Sequence, residues 1–118
     1  MTSKVQIYSY PLCTTCKRAL KWLQENDIEY ELFDITKFPP TKEILIKAMS
    51  QIEKRKTLFN TSGLSYRKLG SKVVDAMSDM EAIEALHADG KLIKRPFLIS
   101  ANKNNYLIGF KSEDWNKF

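Results

Sequence analysis

The chain is short of sulfur and nearly without histidine: two cysteines and one histidine, His87, in 118 residues. A closed structural zinc site takes four Cys or His ligands, and three such side chains fall short of one. No apolar run approaches the ~18 residues that span a bilayer, so no membrane association is expected. A glycine-rich phosphate loop, a helix-turn-helix cue and an aromatic RNA-binding signature are all missing, which argues against direct nucleic-acid contact. Met1-Thr2-Ser3-Lys4 leads into a β-prone stretch without a long apolar segment, so no secretory leader is expected and the chain reads as cytoplasmic. Repeats, low-complexity tracts and linkers are absent as well.

What remains is ordinary for a folded domain. A hydrophobic fraction of 43% and a charged fraction of 28% are those of a globular protein able to bury a core. The length suits one domain over 1–118, with a monomer as the default. The net charge of +5 is spread over short clusters: Lys17, Arg18 and Lys21; Lys54, Arg55 and Lys56; Lys91, Lys94 and Arg95. Such clusters read as solvated surface, suited at most to an acidic partner or an oxyanion.

Against this background the placement of the two cysteines is informative. Cys13-Thr14-Thr15-Cys16 follows a strand pattern and opens a helix pattern. Three-residue spacing on a helix brings the Cβ atoms to about 5–6 Å, close enough for a disulfide after a small adjustment. Unsatisfied N–H groups at a helix start favour a thiolate. Two buried thiols acting as small hydrophobes, or a structural disulfide suited to a secreted chain, are the plainer alternatives. A reversible redox pair fits the spacing and context best. Cys16 falls on the apolar stripe with Ala19, Leu20 and Leu23, and Cys13 at the helix mouth. Cys13 is thus the expected attacking thiolate and Cys16 the resolving thiol. Ser9 and Thr14 stand near enough in sequence to donate hydrogen bonds to Cys13.

The rest of the chain supplies alternating elements. Residues 5–10 read as a strand ended by Pro11, and residues 29–35 as a second strand, parallel to the first because a helix intervenes. A helix follows from about Thr41, carrying Ile44, Leu45, Ala48 and Met49. Residues 51–60 read as helical near Ile52, Leu58 and Phe59, with Gly63 breaking them. Leu64–Leu69 is expected to be helical and to stop at Gly70. Ser78-Asp79-Met80-Glu81 is a capping-box pattern, predicting a helix with Met80, Ile83 and Leu86 inward and Asp89-Gly90 as its stop. Residues 97–100 and 106–109 form an expected hairpin, and Ser112–Trp115 a short last helix. His87 reads as a partly buried packing residue, and Trp22 and Trp115 as packing residues too. The order β-α-β-α, helical insert (roughly 41–90), β-β-α predicts an α/β fold, a thioredoxin-like mixed sheet with helices. The Cys-x-x-Cys lies at the end of the first strand, where such sheets place their ligands.

These segments resemble the arsenate reductase/Spx-like (ArsC/Spx/MgsR) family of thioredoxin-like proteins. The carriers are the stretch from Tyr8 to Cys16, Leu58 to Gly63, Tyr66 to Gly70, Asp89 to Pro96, and Gly109-Phe110, in the family's order along the whole chain. The resemblance implies a cis peptide before Pro96, packed beside the active cysteine. It also implies that Arg95 leans toward Cys13 to tune its thiolate or bind an anion. Glutathione-dependent arsenate reductases use one cysteine and three arginines; Arg95 matches one, while the other two positions fall near Asn60 and near Gly109-Phe110, with Arg67 too far along to substitute. Arsenate reduction is therefore the disfavoured alternative. The Spx-like branch carries the Cys-x-x-Cys switch and binds the C-terminal domain of the RNA polymerase α subunit. The expectation is a thiol/disulfide redox protein with site residues Cys13, Cys16 and Arg95, supported by Pro96, Thr14, Ser9 and Asn60. It would hold no metal or bound cofactor. Its partner would be a thiol/disulfide protein or glutathione, its reductant glutathione or thioredoxin, with the RNA polymerase α subunit as partner under the regulator alternative.

Overall fold

Val5, Ile7 and Tyr8 lose nearly all their accessible surface, so the first strand, β1 (Val5–Ser9), runs through the interior rather than along an edge. The computed structural model describes residues 4–116; the Met1-Thr2-Ser3 lead lies outside the described residues. The chain forms two compact units, Met1–Asp34 with Arg95–Phe118, and Ile35–Lys94.

In the first unit, β1 is followed by helix α1 (Thr14–Glu25) and strand β2 (Tyr30–Asp34). The chain returns as β3 (Phe97–Ile99), β4 (Tyr106–Ile108) and the short helix α6 (Ser112–Trp115). The sheet order is β2-β1-β3-β4. β2 lies parallel to β1, Val5 opposite Tyr30 and Ser9 opposite Asp34, as a strand–helix–strand crossover requires. β3 is antiparallel to β1 and pairs with β4 as the expected hairpin. This is the mixed α/β, thioredoxin-like sheet that the element order predicts.

α1 buries Cys16, Ala19 and Leu23, a three- and four-residue spacing that makes one apolar stripe. Ala19 and Leu23 pack with Val5, Ile7, Leu98 and Trp115. Trp22 meets Trp115 edge-on at 5.4 Å, and Phe110 meets it at 4.8 Å, so both tryptophans are packing residues. The Trp115 indole N–H donates to the Gly109 carbonyl, 3.3 Å. Asn26 closes α1, and Asp27 turns the chain with φ 54°.

The second unit holds α2 (Lys42–Gln51), α3 (Leu64–Leu69), α4 (Ser71–Ala76) and α5 (Asp79–Ala88), with 3₁₀ turns at Arg55–Leu58 and Gly90–Leu92. Thr41 caps α2, its hydroxyl accepting the Ile44 N–H. The Ser78–Glu81 capping box forms in both directions and starts α5. The Arg55 guanidinium donates to the carbonyls of Val74 (2.9 Å) and Met77 (2.8 Å) and to Asp79 (3.1 Å), tying the end of α4 to the start of α5. His87 lies half-buried on α5 and donates its Nδ1–H to the Pro40 carbonyl, 3.0 Å, a packing role.

Several elements differ from expectation. β1 stops at Ser9, because Tyr10 leaves the sheet and its carbonyl accepts the Cys13 N–H in a turn. The expected helix over 51–60 is only the 3₁₀ turn. Its backbone groups pair elsewhere: Phe59 bridges Ile93, Lys94 N–H donates to Leu58, and Asn60 N–H to Leu92. Helix α4 went unpredicted. It restarts directly after Gly70, whose φ of 88° allows the abrupt change of direction that a Cβ would penalise. Met80 is 54% exposed rather than inward; Ala82, Ile83 and Leu86 make the buried face of α5. Gly90 does not stop α5 through a positive φ. Asp89 is the cap, and glycine is required at 90 because a Cβ there would collide with the Ile35 carbonyl.

Candidate functional site

The site begins with the way α1 starts. Cys13 is its N-cap, in extended conformation (φ −90°, ψ 114°), where Ser, Thr, Asp or Asn usually stands. Its sulfur takes the capping role and accepts the Cys16 backbone N–H at 3.2 Å. No acidic residue lies in the first turn to compete for that end of the dipole. Lys17 N–H donates to the Cys13 carbonyl, 3.1 Å, completing the first turn.

The two thiols have opposite surroundings. Cys13 is half-buried, and its neighbour Leu12 is 79% exposed. Cys16 is 1% exposed. Burial pushes its thiol from an ordinary 9.0 up to about 12. Its hydrogen bond to the Cys13 sulfur acts the same way, while a hydrogen bond from the Tyr10 backbone, and the Arg95 charge, pull it back. Both cysteines are free thiols.

Arg95 and Pro96 enter from the start of β3. The Arg95–Pro96 peptide is cis, and the Pro96 carbonyl accepts the Gly109 N–H at 2.8 Å. The Arg95 guanidinium lies over the Tyr10 ring, 4.9 Å from its centroid. Cys13, Cys16, Thr14, Ser9, Arg95 and Pro96 all belong to the first unit. Ser9 is buried opposite Asp34 at the end of β1, and Thr14 is exposed. Among the described residues neither hydroxyl bonds to Cys13; the Cys16 N–H fills that place.

Asn60 belongs to the second unit, where it builds its own turn. Its N–H donates to Leu92, 2.8 Å, its carbonyl accepts the Gly63 N–H, 3.0 Å, and its side chain lies against Gly63. At the other position where an arginine is absent, Gly109 has φ 80° and Phe110 packs on Trp115 and under Arg18. Among the described residues no cluster of His, Cys, Asp and Glu could hold a metal ion, and no helix is long and apolar enough to cross a membrane.

Tyr10 is a site residue that the strand pattern over residues 5–10 hides, since it reads there as the last strand residue. The available signal was its place directly before Pro11, where the backbone is restricted and leaves the ladder.

A thioredoxin-like sheet whose first helix is capped by the first cysteine of a Cys-x-x-Cys defines a class of small thiol proteins. The ArsC family model matches residues 8–118, and the chain belongs to the ArsC family. Its similarity to relatives runs over most of the length. YusI of Bacillus subtilis (strain 168), an uncharacterized protein, is 41% identical over 114 residues, covering 93% of each chain. The crystal structure of an ArsC-family-related protein from Bacteroides fragilis superposes with a TM-score of 0.88 at 40% identity, covering 99% of this chain and 98% of that one. The global transcriptional regulator Spx of Streptococcus agalactiae is 26% identical over 115 residues, 97% of this chain and 82% of its own. The protein is thus of the thiol-redox type of the ArsC/Spx family.

Proposed function

We propose that this protein is a cytoplasmic thiol/disulfide exchange protein acting on a disulfide of a partner protein. The observation that carries the reading is the asymmetry of the pair: a half-buried N-cap sulfur, backed by a sealed cysteine whose backbone N–H donates to it. The Cys13 thiolate attacks one sulfur of the partner disulfide. The partner's S–S bond breaks, a Cys13–partner disulfide forms, and the second partner sulfur leaves as a thiolate that takes a proton. Cys16 then gives up its proton and attacks the Cys13 sulfur, releasing the first partner sulfur as a thiol. The partner disulfide has been reduced to two thiols and the Cys13–Cys16 pair oxidised; glutathione or thioredoxin, oxidised in turn, restores it.

Mass-shift alkylation across redox buffers tests this reading. A single two-electron transition between about −180 and −300 mV is expected, within the range of cytosolic redox proteins. No disulfide at any poise would overturn it. The regulator reading, in which the same switch controls docking on the C-terminal domain of the RNA polymerase α subunit, is supported by the similarity to Spx. Capture by that domain only with oxidant present would favour it.

A further inference from the structure

Tyr10 meets the thiol site through its backbone and through its ring. Its carbonyl accepts the Cys13 N–H at 3.0 Å, which fixes the turn entering α1. Its ring lies under the Arg95 guanidinium at 4.9 Å, inside the ~6 Å reach of a cation–π contact. Pro11 restricts the backbone of the residue before it, which narrows where the Tyr10 side chain can start.

We propose that Tyr10 is a positioning residue of the thiol site, its ring holding the Arg95 guanidinium so that the positive charge stays at the cysteine pair. The proposal rests on the thiol/disulfide reading and adds a residue that acts through Arg95. A half-buried arginine has many rotamers, and its charge acts at one point only when a neighbour selects among them. A flat aromatic face does this without neutralising the charge, unlike a carboxylate. The held charge then favours partner disulfides flanked by acidic groups over those flanked by neutral ones.

Iodoacetate and iodoacetamide alkylate thiols by the same displacement but differ in carrying a carboxylate or an amide. The ratio of their rates at Cys13, assigned by peptide mass, reads positive charge beside the sulfur. The reduced full-length protein is compared with Arg95→Gln, Tyr10→Phe and two ringless variants, Tyr10→Leu and Tyr10→Gln. The ratio is expected to fall in Arg95→Gln. It should fall about two- to fivefold in the ringless variants and stay at the wild-type value in Tyr10→Phe. Two ringless variants keep the test open if one does not fold, as judged by circular dichroism. An unchanged ratio in a folded ringless variant overturns the proposal. So does an equal fall in Tyr10→Phe, or a wild-type ratio in Arg95→Gln. The alkylation ratio needs no turnover, so it decides the role of Tyr10 even if the redox titration of the wild-type protein finds no disulfide.

Discussion

The backbone N–H of Cys16 donates to the sulfur of Cys13, 3.2 Å away. One half-buried sulfur thereby caps a helix and is the reactive group of the site. Capping and chemistry have different requirements, because an oxygen caps as well as a sulfur but does not exchange disulfides. Cys13→Ser should keep the α1 start, with a change in unfolding free energy within about 1 kcal/mol. It should lose all mixed-disulfide formation. Cys16→Ser should instead accumulate the mixed disulfide with a partner. Urea denaturation and non-reducing mass spectrometry read the two effects separately, and a Cys13→Ser variant that still exchanged disulfides would remove Cys13 from the attacking role.

Cys16 gives the reduced protein a characteristic pH dependence. Burial raises its thiol from 9.0 to about 12, so the folded state holds its proton where the unfolded chain has released it. Proton release on unfolding lowers stability as pH rises, which places the loss above pH 9 and continues it toward pH 12. Cys16→Ala lacks this group, so the gap in urea midpoint between wild type and variant should narrow through that window. A constant gap would mean that Cys16 titrates normally. At pH 8 the folded protein keeps Cys16 protonated and buried, so brief iodoacetamide treatment should label Cys13 alone.

Gly90 offers a test of packing in the second unit. A Cβ at this position would meet the Ile35 carbonyl and the Thr36 backbone, neither of which is the movable end of a side chain. Gly90→Ala should cost about 1–3 kcal/mol, toward the upper end because backbone must shift. Urea unfolding of the full chain measures it. A neutral substitution would show that the Ile35–Thr36 segment yields easily.

The sheet, the parallel β1–β2 pairing and the α5 capping box were legible in the sequence, because alternation, helical spacing and Ser-x-x-Glu are local signals. Leu58 and Phe59 misled because an apolar pair looks the same in a helix or an extended bridge. The bridge to Ile93 is a contact far along the chain, invisible to a local window. α4 was missed since Gly70 reads as a stop, whereas its positive φ turns the chain into a new helix. At the site the cysteine pair was legible from spacing. Tyr10 was not, because its contact with Arg95 joins two pre-proline residues from opposite ends of the first unit.

Arsenate turnover with glutathione and glutaredoxin should be absent. Holding an arsenate oxyanion takes several charge-assisted hydrogen bonds at once. The resemblance to the family locates three arginines for that task, and here Arg95 alone occupies such a position. Asn60 spends its backbone on Leu92 and Gly63 and its side chain on the turn it builds. Phe110 is committed to Trp115 at 4.8 Å and lies 5.5 Å beneath Arg18. Neither position has a guanidinium to offer, and Phe110 helps pack the core around Trp115. The measurement is NADPH consumption coupled through glutathione reductase, with arsenate as the variable and Cys13→Ser as the blank. Arsenate-dependent consumption above that blank would show that Arg95, the helix start and Cys13 suffice to hold and reduce the anion.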